Sequence, residues 1–319
     1  MSGPAPPRPD TPRLTIDEVR ARDLALDAAG AGHPAGALKA GMVSPNGAAV
    51  TGLDGHMFVA DGANRWESQF RGDLTVPEAW LDGWGRIFAA RAAMAAGLGV
   101  SLCNVVLPEK QVIHAEARWP GGEVTGERRP LKLLEPRLGP EAALLYGADA
   151  LLPRKADTAV WFRRNSHWTA SGCCLVAEAL ARRLDVQADL EQARYPYRVR
   201  PVRHDLTAHF FTSVADEDAG FLDAGVETFF DNRLLQTTGR HSGASYGMRN
   251  PAAPDPRRII VFGDSYSYDV GFTFALSEIF AEVVFVWSKA IDWSLVRRHE
   301  SQVVVWESAE RFLATLPQA

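Results

Sequence analysis

Cysteine, excess charge of one sign and long apolar runs are all scarce in this sequence. Its 319 residues include three cysteines, Cys103, Cys173 and Cys174, with neither CxxC nor Cys/His spacing, so no metal site is predicted. Cys173 and Cys174 fall inside a predicted helix, which favours buried free thiols in a reducing compartment. No stretch approaches the ~18–20 apolar residues that span a bilayer. A net charge of -5 without a long basic run argues against nucleic-acid binding through a cationic face.

The composition supports well-packed structure. Hydrophobic residues make up 46% of the chain, enough for one large domain or two small ones. We predict a partly disordered N-terminal arm over residues 1–45, of which residues 1–13 are Pro-rich. Residues 46–319 are predicted to form one α/β domain, with a β-rich insertion at about 195–250. The first residues carry no apolar signal segment, which predicts a cytoplasmic location for the chain as given.

Alternating strand and helix patterns predict a parallel sheet covered by helices on both faces. Short apolar runs predict strands at 100–107, 143–146, 158–162, 258–262, 283–287 and 302–306. Capping-box patterns at Thr15 and Thr75 predict helices over about 15–29 and 75–96, the second stopped by Gly97. A further helix is predicted over 170–184.

A possible nucleophile lies in Gly263-Asp264-Ser265, between the predicted strand 258–262 and a helix. This position puts Ser265 at the carboxyl end of a strand, where ligands of open α/β sheets bind. Backbone N–H groups of the turn, near Ser265 and Tyr266, could stabilise an oxyanion. Two interpretations stay open: Ser265 is a nucleophile, or it satisfies the backbone of a capped turn.

A possible base lies in Asn165-Ser166-His167-Trp168, immediately before the helix predicted at 170–184. In an extended stretch, residues two apart point to the same side, so Asn165 can reach and orient His167. Beside Ser265, His167 would act as a general base. The alternative is a hydrogen-bonded structural histidine, because the sequence does not give the distance between His167 and Ser265.

Three polar residues are candidate substrate ligands. Arg164, next to Arg163, could bind an anionic glycan or a donor phosphate, although a solvated strand edge is the alternative. Lys110 and Asn104 are expected to line the cleft at the end of strand 100–107.

Aromatic and acidic residues near the motifs have two interpretations each. Trp168, Tyr266 and Tyr268 form either a sugar-stacking platform or ordinary core packing. Glu307 and the neighbours Glu310-Arg311 are expected to make a structural ion pair.

Five segments, in their order along the chain, resemble the SGNH-hydrolase-like domain of the alginate O-acetyltransferase family, which modifies exopolysaccharides. The segments are 52–58, 105–110, 165–172, 258–265 and 310–313. They are similar to the family's Gly-x-Asp-Gly-Trp-Leu-Phe opening, its Val-Pro-x-Lys strand end, its Asp-x-His-Trp segment, its nucleophile strand and its closing Glu-Arg-Phe-Leu. The likeness covers about residues 50–313. It implies an SGNH-hydrolase-like parallel sheet with a circularly permuted motif order, in which histidine precedes serine.

The resemblance assigns the catalytic serine to Ser265 and the histidine to His167. The family's aspartate falls on Asn165, which can hold an imidazole tautomer but has no charge. In serine proteases that exchange costs about 10⁴ in kcat, whereas cysteine proteases work with a Cys-His-Asn set. Three outcomes stay open: a slow enzyme, an acid supplied from elsewhere in the chain, or a catalytically silent relative.

The resemblance implies an O-acetyltransferase or acetylesterase acting on a carbohydrate or exopolysaccharide. Its partners would be an acetyl-carrying small molecule or a membrane acyltransferase as donor and a glycan as acceptor, with no cofactor. Family members usually act outside the cytoplasmic membrane, so a removed leader would imply a periplasmic location. The alternative is a silent glycan-binding or assembly protein. A nucleotide-binding protein is disfavoured because no Gly-rich fingerprint is present.

Overall fold

A seven-stranded, mostly parallel sheet forms the centre of the protein. The computed structural model describes residues 11–121, 126–187, 190, 193–213, 216–232, 243–268 and 270–317. The strands are β1 (Arg13–Leu14), β2 (Ala49–Thr51), β3 (Met57–Val59), β4 (Ser101–Leu107), β5 (Leu144–Tyr146), β6 (Tyr195–Val202), β7 (Glu217–Leu222), β8 (Glu227–Asp231), β9 (Ser245–Arg249), β10 (Asp255–Gly263), β11 (Phe280–Trp287) and β12 (Val303–Ala309). The large sheet has the order β5-β4-β12-β10-β11-β9-β8.

Strand β10 lies in the middle of this sheet because its apolar residues are continuous. Ile259, Ile260, Val261 and Phe262 are completely buried, as expected for a parallel strand covered on both faces. β10 pairs in parallel with β11 and β12, and β12 pairs in parallel with β4. The predicted α/β fold with a parallel sheet is confirmed.

The described residues form ten α-helices, and all but α1, α3 and α7 are short. They are α1 (Ile16–Ala29), α2 (Trp66–Arg71), α3 (Glu78–Leu98), α4 (Lys110–Ile113), α5 (Pro130–Leu134), α6 (Ala148–Leu151), α7 (Ala170–Arg183), α8 (Ser265–Tyr268), α9 (Phe272–Ser277) and α10 (Trp293–Arg298). α3 packs on β4, and α7 packs against α1, α6 and α9. Within the described residues, none of the helices combines the length and the apolar character needed to cross a membrane.

The capping residues of α1 agree with the prediction, whereas both predicted ends of α3 are wrong. Thr15 caps α1 with the predicted capping box to Glu18. Thr75 does not cap α3, which begins after Pro77, and the helix continues through Gly97 to Leu98. It ends at Gly99 because that residue has the positive φ of 66° that a helix C-cap favours.

The region predicted as a β-rich insertion divides between two sheets. β6 and β7 form an antiparallel sheet with β1, so the first described residues pair with this region. β8 and β9 instead extend the large sheet as antiparallel edge strands next to β11. Residues 214–215 and 233–242 of the predicted insertion, and the Pro-rich residues 1–10, lie outside the described residues. The predicted strand 158–162 is wrong, since the structure has a single bridge there between Trp161 and Trp168.

Candidate active site

The turn after β10 presents Ser265 at the carboxyl end of the central strand. Asp264 caps this turn: its Oδ1 accepts a hydrogen bond from the Tyr266 amide (3.0 Å), and its Oδ2 accepts one from the Ala309 amide (2.9 Å). The second bond ties the turn to the end of β12. Asp264 therefore caps the turn, and the Ser265 hydroxyl is not needed for this role.

Gly263 is required because a buried carboxyl group lies against the turn. A Cβ at this position would lie 2.6 Å from Glu307 Oε2. That oxygen accepts hydrogen bonds from the Asp264 amide (3.1 Å) and the Ser267 hydroxyl (2.7 Å). Burial and the neighbouring Asp264 raise the pKa of Glu307 well above its usual value.

His167 is held in a tight loop that precedes α7. Trp161 and Trp168 form an antiparallel bridge that closes the loop. Inside it, Asn165 Oδ1 accepts a hydrogen bond from the His167 amide (3.0 Å), an Asx turn. Thr169 then caps α7 by accepting from the Gly172 amide (3.1 Å). Both the chain reversal and the helix start therefore fix where His167 lies.

Ser265, His167 and Asn165 form a continuous hydrogen-bonded chain. His167 Nε2 lies 2.8 Å from Ser265 Oγ, and His167 Nδ1 lies 2.8 Å from Asn165 Oδ1. An amide oxygen only accepts, so Nδ1 carries the proton and the Nε2 lone pair faces Ser265. Burial lowers the pKa of His167, which keeps the imidazole neutral at pH 7. This is the geometry of a nucleophile with its general base.

His204 fixes which way the Asn165 amide faces. Its Nδ1 lies 3.2 Å from Asn165 Nδ2. Burial lowers the pKa of His204 to about 4, so its ring is neutral at pH 7 and Nδ1 can accept from the amide. The amide oxygen is thereby left toward His167.

A carboxylate that sequence reasoning missed, Asp205, lies beside His167. Asp205 Oδ2 is 3.8 Å from His167 Nδ1 and accepts from Ser166 Oγ at 2.5 Å. Desolvation opposes its ionisation, but His167 and hydrogen bonds from Ser166 outweigh it and hold the pKa of Asp205 below its usual value. Asp205 comes from the segment after β6, 38 residues beyond His167, and no motif distinguishes it in the sequence.

The backbone amides of the turn are not equally available to an oxyanion. The Tyr266 amide, which the sequence analysis offered for this role, donates instead to Asp264, and the Asp264 amide donates to Glu307. Within the described ranges, the Ser265 amide makes no hydrogen bond. It is also the first amide of α8, where helix N–H groups have no intrahelical acceptor.

Lys110 and Asn104, which were expected to line the cleft, are buried and bonded to other groups of the protein. Lys110 Nζ donates to the carbonyl oxygens of Met57 (2.6 Å) and Arg163 (2.7 Å), and burial lowers its pKa well below the usual value. It therefore ties β3 to the His167 loop. Asn104 Nδ2, in the middle of β4, donates to Ala142 O (2.7 Å).

The two arginines before the His167 loop are engaged by acids of the protein. Arg164 is buried, forms a two-pronged ion pair with Glu217 and donates to Gly30 O (2.7 Å). Arg163 pairs with Asp27 through Nη2 (2.7 Å). Both arginines thus link the loop to the N-terminal helix and β7.

The aromatic residues follow the packing alternative. Trp168 and Tyr266 are completely buried with ring centroids 5.2 Å apart, and neither ring face is open to a sugar. The Tyr266 ring lies 4.9 Å from the His167 ring, and its hydroxyl donates to Ser166 O (2.7 Å). Tyr266 is therefore a wall of the site that also fixes the loop. Tyr268 is half-buried against Phe285.

The expected ion pair near the chain end has different partners. Arg311 pairs with Glu109, and Glu310 pairs with Arg129 (2.6 Å). Burial raises the pKa of Glu109 to about 7 despite Arg311. These pairs join the 3-10 segment after β12 to the ends of β4 and α5.

Comparison with known proteins identifies the family to which this chain belongs. Residues 70–310 match the family model for the SGNH hydrolase-like domain of the acetyltransferase AlgX. The chain belongs to this family of SGNH hydrolase-like acetyltransferase domains. No curated protein matches the sequence significantly.

Solved structures share the fold at low sequence identity. PatB1 from Bacillus cereus superposes with a TM-score of 0.58 at 9% identity, covering 76% of this chain and 92% of that one. The O-acetyltransferase domain of AlgJ from Pseudomonas putida gives 0.52 at 17% identity, covering 85% and 93%. A DHHW family protein from Eubacterium siraeum gives 0.56 at 11% identity, covering 87% and 96%.

Proposed function

We propose that this protein is a serine-dependent O-acetyltransferase that modifies a carbohydrate hydroxyl. The observation that carries the proposal is the hydrogen-bonded chain from Ser265 through His167 to Asn165, with 2.8 Å at each link. Membership of an acetyltransferase-domain family supports the choice of acyl group. A silent glycan-binding relative would have no need to keep the serine and the imidazole nitrogen within bonding distance.

The first half-reaction acetylates the enzyme. Ser265 Oγ attacks the acetyl carbonyl of the donor while His167 Nε2 takes the hydroxyl proton. The Ser265 amide donates to the oxyanion of the tetrahedral intermediate. His167 then returns the proton to the departing donor oxygen, which leaves acetyl-Ser265 and a neutral imidazole.

The second half-reaction uses the same groups in reverse. His167 Nε2 removes the proton of a sugar hydroxyl, whose oxygen attacks the acetyl carbonyl. The proton then passes from His167 to the departing Ser265 Oγ, which restores the free hydroxyl and the neutral imidazole. Water in place of the sugar would make the protein an acetylesterase. The balance between acetyl transfer and hydrolysis depends on whether the site excludes water and positions the sugar hydroxyl.

Formation of acetyl-Ser265 tests the proposal directly. The protein would be incubated with p-nitrophenyl acetate and its intact mass and peptide map recorded, without and with added oligosaccharides. We expect one acetyl group on Ser265, and faster deacetylation with acetylated sugar as product when a suitable acceptor is present. No adduct, or an adduct on another residue, would contradict the proposal and favour the glycan-binding alternative.

The rate of acetylation should rise with pH, reach half its maximum below pH 6.5 and then level off. The base must be neutral to accept the Ser265 proton, and burial holds the pKa of His167 below 6.5. The rate is therefore lost as pH falls through this pKa and is fully present above it. Single-turnover acetylation across pH 4.5 to 8 gives the half-maximal point. A midpoint above pH 6.5 would mean that another group acts as base.

A further inference from the structure

We propose that Asp205 supplies the negative charge that Asn165 lacks, so that orientation and charge compensation for His167 come from two residues. This inference deepens the proposed function and rests on it. Asp205 acts through His167 and does not touch Ser265, so it is a positioning residue with an electrostatic role.

The position of Asp205 carries the proposal. Its Oδ2 is 3.8 Å from His167 Nδ1, close enough for an opposite charge to stabilise the imidazolium. Ser166 bridges the two: its hydroxyl donates to Asp205 Oδ2 at 2.5 Å and lies 3.2 Å from His167 Nδ1. The Nδ1 proton therefore faces two acceptors, the Asn165 oxygen and the Ser166 hydroxyl, and the second is polarised by the carboxylate.

The Asp205 carboxylate is held in place by the backbone. Its Oδ1 accepts from the Ser166 amide (2.8 Å) and from the Leu206 amide (2.8 Å). With the Ser166 hydroxyl, three donors hold the carboxylate, and all three favour its ionised form. The side chain is 43% exposed, so ionisation does not cost the full penalty of a buried charge.

A neutral amide at position 165 is compatible with the Asp205 carboxylate nearby. Asn165 Nδ2 faces His204 Nδ1 at 3.2 Å. A carboxylate oxygen at this place could form a hydrogen bond only if the His204 ring carried its proton on Nδ1. A second carboxylate beside Asp205 would also raise the pKa of one of the two acids. Neutral Asn165 orients the ring while Asp205 keeps its charge.

Other charged groups near His167 do not replace Asp205. Arg311 and Lys110 disfavour the imidazolium, and Asp264 favours it. Arg311 is paired with Glu109. Asp264 is committed to the amides of Tyr266 and Ala309 beneath the nucleophile turn.

The charge matters when the proton moves. As Ser265 Oγ bonds to the acetyl carbon, its proton passes to His167 Nε2 and the ring becomes positive. Asp205 stays ionised throughout and takes no proton. Its charge lowers the energy of the imidazolium and of the transition state that leads to it.

The test moves the charge between the two positions. Asp205→Asn, Asn165→Asp and the double variant would be compared with wild type by NMR titration of the His167 ring and by the pH profile of Ser265 acetylation. We expect Asp205→Asn to lower the pKa of His167 by about one unit or more. Acetylation should slow by up to about tenfold for each unit, in proportion to the charge that the ring carries in the transition state. The double variant should recover both quantities. Asp17→Asn, which removes an exposed carboxylate on α1, should change neither.

The two readouts separate this inference from the proposed function. An unchanged His167 pKa in Asp205→Asn, or a double variant that is no better than Asp205→Asn, would overturn the role of Asp205. Because the titration needs no turnover, a wild type that fails to acetylate Ser265 would contradict the proposed function. A shift of the His167 pKa in that same protein would uphold the charge coupling.

Discussion

Replacing Ser265 with alanine is expected to remove the acetyl adduct and to slow hydrolysis of p-nitrophenyl acetate by about 10³-fold or more. The hydroxyl is the atom that would become acetylated, and His167 Nε2 lies 2.8 Å from it. Without the hydroxyl, the site keeps the amide that could bind an oxyanion but has nothing to attack the donor. Intact mass and initial rates measure the two effects.

Serine and histidine should act as one unit. His167→Gln is expected to slow acetylation by about the same factor, and the double variant should be no slower than Ser265→Ala alone. Ser101→Ala is the matched control, because Ser101 is exposed at the start of β4, at the opposite end of the parallel strands. A Ser265→Ala variant that turns over as fast as wild type would show that Ser265 is not the nucleophile.

Arg129→Met is expected to destabilise the fold by about 3–5 kcal/mol. Arg129 Nε donates to Glu310 Oε1 (2.6 Å), and its Nη2 donates to Tyr146 OH (3.1 Å), which donates to Glu310 Oε2 (2.7 Å). Glu310 is completely buried, so loss of the guanidinium leaves a carboxyl group without its positive partner. The free energy of unfolding in urea measures the effect.

An exposed ion pair provides the comparison. Arg258 and Glu300 lie 2.9 Å apart with side chains 41% and 72% exposed. Arg258→Met removes the same charge and should cost at most about 1 kcal/mol, because water solvates both groups. Equal losses in Arg129→Met and Arg258→Met would show that the buried network does not stabilise the fold.

Local sequence determined the elements that depend on apolar pattern and capping. The continuous apolar runs at 100–107 and 258–262 predict buried parallel strands, and β4 and β10 are such strands. The capping box at Thr15 starts α1 as predicted. The order of five short motifs was enough to indicate the family that the comparison establishes. Each strand, capping or motif signal lies within a few consecutive residues, where sequence and conformation are coupled directly.

Tertiary structure decided what depends on contacts between distant segments. The sequence could not determine whether His167 reaches Ser265, because 98 residues separate them and only tertiary packing brings the loop to the end of β10. The sequence motifs include or adjoin Lys110, Arg164 and Trp168, yet all three side chains are buried in the protein. Asp205 shows the reverse case: no motif marks it, but the turn after β6 brings its carboxylate to the ring nitrogen where Asn165 has no charge. Charge acts through space, so chain folding and not the local pattern determines which acid faces His167.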